Sequence, residues 1–461
     1  MNLAQLLLEH PCAADEPLLH DLRRSWTAGE ARAEVEMLAG ELRARRVARL
    51  GVAVKLDRGA EVVLAATAIW HADAVLVPIN PRLPDAAVDD LLRELRPALL
   101  IDADGIHEVD SEPTRYEPGV AFLLWTSGTT GRPKPILHTH DGYLEIIDRV
   151  LAPLRAGRTD SGRSPSPNLI PVSMALNAGI YNALFGLRAG APLVLMDRFD
   201  TSDFATLVAR YEIRSTILPP AAMAMLSDDP DLTDLSPLRY VRSVTAPLSP
   251  FQARRFTERF GVTVLNGYGQ AELGEVVGWT ASDAREHPER VGATGRPHPG
   301  VEVRVDEADA NGVGELLVKA PLVWDDAKRS TLAERLTTDG YVRTGDLARI
   351  DDAGFVWIEG RLGDLINRGG NKIVPDEVEE VLVAMPQVAE AAVVGVPDDR
   401  LGQVPIAFVV EREPVTDATL EQACRESLVP YKVPVRFERI DALPRSEVGK
   451  VLRRELVELA S

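Results

Sequence analysis

Short apolar runs alternate with amphipathic stretches along most of this chain. Val75-Leu76-Val77-Pro78-Ile79, Pro192 to Met196, Ser215 to Leu218, Tyr240 to Val244 and Thr263 to Leu265 read as brief buried strands. Helical patterns lie between them. In one, Asp141 stands as an N-cap before apolar positions at Leu144, Ile147, Val150 and Leu151. Such alternation predicts an α/β fold, with a large multi-layer N-terminal domain built on mostly parallel sheets. The pattern changes near residue 361. Pro375 precedes Asp376 and Glu377, a favourable helix start, and Val378, Val381, Leu382 and Met385 then form one apolar stripe. Strands at Ala391 to Val396, Ile406 to Val410 and Val435 to Ile440, with a helix from Asp417 to Leu428, predict a small α+β domain. The expected division is 1–361 and 362–461.

Composition narrows the picture. Hydrophobic residues make up 45% of the 461, enough for a large core, but aromatics are only 5%, so aliphatic side chains must fill it. The formal net charge is −19, which argues against a nucleic-acid or anionic-membrane surface. It also requires that any anionic ligand be held by a local positive pocket. Two cysteines, Cys12 and Cys424, make no disulfide framework or four-cysteine metal site. His138 and His140, two apart on an extended segment, are expected on opposite faces as loop or core residues. The start of the chain lacks the basic and apolar regions of a signal peptide. The longest apolar run, Val62 to Trp70, falls short of the roughly 18 residues of a spanning helix. A cytoplasmic protein with no membrane or nucleic-acid partner is the expectation.

The most informative chemistry lies at Thr126-Ser127-Gly128-Thr129-Thr130-Gly131-Arg132-Pro133-Lys134, directly after the apolar run Val120 to Trp125. Glycines let backbone approach a ligand closely, while N–H groups, hydroxyls and a lysine can meet phosphate oxygens. The P-loop of nucleoside triphosphatases does not fit. Gly128 and Gly131 are too close together, Pro135 takes the Ser/Thr position, and Pro133 and Pro135 bracket Lys134 where that motif needs a helix start. A solvated turn is the bland alternative.

Four further clusters follow. Asn266-Gly267-Tyr268-Gly269-Gln270-Ala271-Glu272 comes after a strand, with a stacking face in Tyr268 and a hard oxygen donor in Glu272. Tyr341 to Asp346 could set Asp346 on a ribose diol. Gly360-Arg361-Leu362-Gly363-Asp364 sits at the proposed domain junction, and Pro444 to Lys450 places a lysine near the C-terminus. Each alone is weak: a turn, or a surface lysine.

Together and in this order, the five clusters resemble the adenylate-forming superfamily of acyl- and aryl-CoA synthetases, luciferases and nonribosomal peptide synthetase adenylation domains. Trp26 to Arg46, Ala72 to Pro84 and Gly314 to Val318 are also similar to segments of that family. The resemblance implies a large N-terminal domain binding ATP and acid, a small mobile C-terminal lid, and two half-reactions. A carboxylate attacks the α-phosphorus of ATP with release of pyrophosphate, and a second nucleophile, usually a thiol, then displaces AMP. It implies catalytic roles for Lys450, Glu272 and Thr126, with Mg²⁺ on Glu272. Nucleotide binding would fall to Ser127, Gly128, Thr129, Thr130, Gly131, Lys134, Asn266, Gly267, Tyr268, Gly269, Asp346 and Arg361. The acid pocket would involve Met174, Ala175, Thr245, Ala246 and Gly274, and the hinge Gly363 and Asp364.

Departures from the family pattern matter. Ala271 replaces the usual threonine, removing a hydroxyl near the α-phosphate. Val244 and Thr245 stand where glycines are common, which could narrow the acid pocket. Gly363 stands where Asp or Lys is usual. Pro171-Val172-Ser173-Met174-Ala175 carries no acid to pair an α-ammonium, which argues against an amino-acid substrate. Ile366 to Lys372 looks most like aryl-acid-activating members. The expectation is an ATP- and Mg²⁺-dependent enzyme that activates a small carboxylic acid, aromatic or otherwise apolar, and passes it to CoA. A separate carrier protein, or an amine giving an amide, are alternative acceptors. A non-catalytic nucleotide-binding relative is the alternative of another class.

Overall fold

A computed structural model of the chain describes residues 1–126, 134–156, 166–243, 246–321, 332–445 and 450–460. Four sheets carry the architecture. The first has six strands in the order Gly105–Glu108, Leu99–Asp102, Gly51–Val54, Val75–Pro78, Val120–Thr126 and Lys134–Thr139. Its four central strands run parallel and its two edges antiparallel. The second has nine strands, and at its centre Thr263–Gln270, Tyr240–Ser243, Ser215–Ile217, Asn168–Ile170, Leu193–Leu195 and Pro17–His20 are all parallel. This is the predicted doubly layered α/β body.

The parallel pattern stops short of the whole molecule. A third sheet, Glu302–Asp306, Gly314–Lys319, Val342–Ile350 and Val356–Arg361, is antiparallel throughout. Consecutive neighbouring strands need no crossover helix, so they pair as hairpins. After Arg361 a separate five-stranded sheet begins. It contains Ile366–Arg368, Asn371–Ile373, Val388–Asp398, Gly402–Glu411 and Arg436–Arg439, accompanied by the helices Pro375–Val383, Asp417–Ser427 and Arg453–Ala460. The molecule is therefore a mixed α/β protein with a large N-terminal and a smaller C-terminal domain.

Local sequence explains the elements that matter most. Helix Ala28–Ala44 opens on a capping box between Thr27 and Glu30 and buries Ala28, Ala31, Val35, Ala39 and Leu42, one face at helical spacing. The long apolar run falls in helix Gly59–His71, whose residues from Gly59 to Trp70, apart from Glu61, are buried in the first domain. No helix of the described residues is long and apolar enough to cross a membrane. Helix His140–Ala156 begins two residues earlier than expected. Thr139 caps it by accepting from Gly142 N–H at 3.1 Å, while Asp141 lies in the first turn and pairs with the N-terminal ammonium of Met1.

His138 and His140 part as expected. His140 Nδ1 accepts from Leu3 N–H, whereas His138 is 5% exposed and stacks on Phe122 at 4.7 Å between ring centroids. Burial pushes the His138 imidazole down to about 4. Among the described residues its Nε2 meets no partner. An unfolded histidine titrates near 6.5. Between those values the unfolded chain takes up a proton that the folded chain refuses, so stability is full above about pH 6.5 and falls as pH drops toward 4. The loss is about 1.4 kcal/mol per pH unit for such a group. His138→Phe is expected to remove that share, which denaturant unfolding at pH 7 and pH 5 will measure. An unchanged pH slope would refute the assignment.

Candidate active site

The carboxyl ends of parallel strands form the natural ligand crevice of such a sheet; Thr126 ends one parallel strand, Asn266 to Gln270 close another, and Asp346 and Arg361 lie on the antiparallel third sheet. The hairpin of Val120–Thr126 and Lys134–Thr139 ends on the pair Thr126 and Lys134. Lys134 thus opens a strand, not a helix, consistent with the exclusion of a P-loop. Ser127, Gly128, Thr129, Thr130 and Gly131 lie outside the described residues, as do the side chains of Thr126 and Lys134.

The second cluster does not follow a strand; it is the strand. Thr263–Gln270 continues through Asn266, Gly267 and Tyr268 because Gly274–Gly278 pairs with it antiparallel. The register shifts between Tyr268 and Gly269. A Cβ on Gly269 would stand 2.1 Å from the Gly274 carbonyl oxygen, so only glycine allows this approach. Gly274 itself has φ +66° and faces Ile146, where a Cβ would meet Cγ2 at 2.2 Å. Asn266 Nδ2 donates to the Ala293 carbonyl at 3.3 Å, and its Oδ1 accepts from Gly267 N–H.

Asp346 is the focus of the site. It is 3% exposed, and its carboxylate accepts three charged or polar donors. Tyr268 Oη donates to Oδ2 at 2.5 Å, Gln270 Nε2 to the same oxygen at 2.8 Å, and Arg361 Nε to Oδ1 at 2.8 Å. Strand pairing sets this up, because Asp346 and Arg361 are directly opposed. Burial, followed by the Asp346 charge, pushes the Tyr268 phenol well above its ordinary range, so it stays a donor. Although the Arg361 side chain is half-exposed, crowding around its head opposes the charge, and Asp346 more than offsets that and raises the guanidinium.

Two members of this network escaped the sequence reading. Gln270 bridges Asp346 and the Thr344 carbonyl. Arg335 donates to Gln270 Oε1 at 2.7 Å, to the carbonyls of Thr344 and Arg343, and at 3.4 Å to Glu272 Oε1. Gln270 sits inside a motif read only for its neighbours. Arg335 has no motif, and only the third sheet brings it near.

Lys450 closes the arrangement. The bridge between Arg445 and Val451 ties the ends of its loop together. Although solvent reaches Lys450, crowding in the cleft lowers its ammonium. The Arg361 charge adds to that effect, while Asp346 and Glu272 counter it. One lysine of the small domain thus shares an electrostatic environment with three residues of the large one.

A short turn, Leu362–Asp364, follows Arg361. Gly363 has open space around it, and Asp364 Oδ2 lies 3.5 Å from Arg453 Nε. Arg453 also holds Asp376 at 3.0 Å, Glu379, and the Val393 carbonyl at 2.9 Å. Among the weaker pocket assignments, Met174 is buried in the large core beside Gly59, as core packing requires. Ala175 is half-buried with its N–H on Ser173 Oγ, and Ala246 is half-buried in a bend. Val244 and Thr245 lie outside the described residues.

No group of three or more His, Cys, Asp or Glu side chains among the described residues could hold a metal alone. A site of one carboxylate, Glu272, still suits Mg²⁺, which keeps waters and takes its remaining ligands from substrate phosphates.

Known proteins with this design are abundant. The pattern of the AMP-binding enzyme family matches residues 9–118 and 112–325, and that of the AMP-binding enzyme C-terminal domain matches 377–450. The sulfoacetate–CoA ligase of Cupriavidus necator is 33% identical over 85% of this chain and 79% of its own. The 2-succinylbenzoate–CoA ligase of Bacillus subtilis is 30% identical over 80% and 73%. The structure of the o-succinylbenzoate CoA synthetase of Bacillus subtilis with its acyl-adenylate superposes with a TM-score of 0.82 at 26% identity, covering 99% of this chain and 97% of that one. An amide bond synthetase from Marinactinospora thermotolerans superposes at 0.81 and 25%, covering 100% and 99%. This chain belongs to the AMP-binding enzyme family.

Proposed function

We infer that this protein is an AMP-forming acid–CoA ligase. It joins a carboxylic acid to the α-phosphate of ATP, releases pyrophosphate, and passes the acyl group to CoA. The observation that supports it most is the buried Asp346 carboxylate held by Tyr268, Gln270 and Arg361, with the charge of Lys450 felt by the same groups, since bringing a carboxylate up to a polyanion requires fixed positive charge.

The roles follow from chemistry. Asp346, its charge held by Tyr268, Gln270 and Arg361, accepts from the ribose hydroxyls. Tyr268 offers its ring to adenine. Thr126, Ser127, Thr129, Thr130 and Lys134 grip the leaving pyrophosphate, with Gly128 and Gly131 giving close backbone access. Lys450 orients the attacking carboxylate against the α-phosphate. Glu272 would hold Mg²⁺, which supplies charge neutralisation to the phosphates when bound. The residues from 362 onward act as the lid, turning at Gly363 and Asp364 and withdrawing Lys450 after the first step.

Relatives acting on sulfoacetate and 2-succinylbenzoate show how widely acids vary among similar enzymes. The absence of an acid at 171–175 supports a substrate without an α-amine, and the likeness of Ile366 to Lys372 to aryl-acid-activating members supports an aromatic or apolar acid. The amide bond synthetase neighbour favours one second reading, in which an amine takes the acyl group. Acid-dependent exchange of labelled pyrophosphate into ATP across a broad acid panel tests the first half-reaction. CoA, a carrier protein and simple amines offered to the active acid then test the second. A panel with no exchanging acid defeats the proposal.

A further inference from the structure

Arg335 stands on the carboxylate proposed for the metal, and its bonding is uneven. Nε and Nη2 make close contacts of 2.7–3.0 Å to the Arg343 carbonyl, Gln270 Oε1 and the Thr344 carbonyl. Nη1 reaches only Glu272 Oε1, at 3.4 Å, and its other N–H finds no acceptor among the described residues. One arm of the guanidinium is therefore anchored and the other is loosely committed. The side chain is 32% exposed and Glu272 15%, so both face space that a ligand can enter.

Two further facts give that loose arm a purpose. A divalent cation on Glu272 would displace a guanidinium that contacts the same oxygen. Ala271, next in the chain to both Gln270 and Glu272, offers no hydroxyl to a phosphate. A guanidinium released beside a triphosphate finds better acceptors there than a carboxylate at 3.4 Å, because phosphate oxygens accept charge-assisted bonds in fork geometry.

We propose that Arg335 is a further triphosphate-binding residue. It occupies Glu272 while the site is empty and passes Nη1 to the phosphate oxygens when magnesium takes the carboxylate. This deepens the proposed function and rests on its placement of Glu272.

Calorimetric titration of the whole protein with MgATP and, separately, with AMP tests it without any acid or turnover. Arg335→Gln is expected to weaken MgATP at least about tenfold and to leave AMP within about twofold, because AMP lacks the two outer phosphates. Arg335→Lys keeps the charge without the fork and should lose less. Gln270→Ala, which removes a donor from Asp346, should weaken both nucleotides together. If Arg335→Gln weakens MgATP and AMP alike, the arginine only scaffolds Gln270 and the proposal falls; it falls also if MgATP binding is unchanged. Should Arg335→Gln not fold, equal affinities of Arg335→Lys and the parent for MgATP overturn it. Failure of pyrophosphate exchange would defeat the ligase reading and leave this comparison standing.

Discussion

Lys450→Ala is expected to lower acid-dependent pyrophosphate exchange by about 10²–10³-fold, the usual consequence of losing one fixed charge at the point where negative charge collects. Transfer of the acyl group from a preformed acyl-adenylate to CoA should stay within several-fold of the parent. The asymmetry follows from position. Lys450 shares its surroundings with Glu272, Asp346 and Arg361, which in the proposed reading belong to nucleotide and metal. Its charge serves the approach of carboxylate to phosphate and has no such task once AMP is the leaving group. Gly363→Pro, which stiffens the junction turn, should likewise separate the two half-reactions. Equal loss of both in either variant would argue against a lid that alternates.

The second large effect is expected at Asp346. Asp346→Asn keeps the size of the side chain and removes the charge that Tyr268, Gln270 and Arg361 converge upon. A hydrogen bond to a charged group contributes about 1.5–3 kcal/mol, so ATP and AMP should both bind about ten- to a hundredfold more weakly. Stability should fall by a smaller amount, because Arg361 is 53% exposed and can turn its charge to solvent. Calorimetry and thermal unfolding on the same samples will separate the two. Unchanged AMP affinity would remove Asp346 from the nucleotide site. Contrast with Arg335 is the informative part: one variant should affect both nucleotides, the other only the triphosphate.

The sequence showed much of this because several determinants are local. The helix start at Pro375 and the apolar strands of the parallel sheets depend on neighbours a few residues away. Asp346, Arg361 and Lys450 were found through short motifs whose order, rather than individual content, was informative. What stayed hidden depends on pairing across long separations. The strand at Thr263 looked finished at Leu265 because its next residues are polar and glycine-rich; only the return strand Gly274–Gly278 extends it. Arg335 was unremarkable until the third sheet set it against Gln270, sixty-five positions back. Likewise the parallel expectation overlooked the third sheet because its hairpins present the same apolar runs that a parallel strand would.

Arg361 ends the last strand of the antiparallel third sheet, and Leu362 begins the turn that leads to the five-stranded sheet. Arg361, which grips the Asp346 carboxylate, and Gly363, the proposed hinge, are separated by Leu362 alone. At the end of the turn, Asp364 is paired with Arg453, three residues after Lys450. Departure of AMP therefore need not send its message through a core. In the proposed reading it frees Arg361 at one end of this short stretch, while Lys450 belongs to the segment tied to the other.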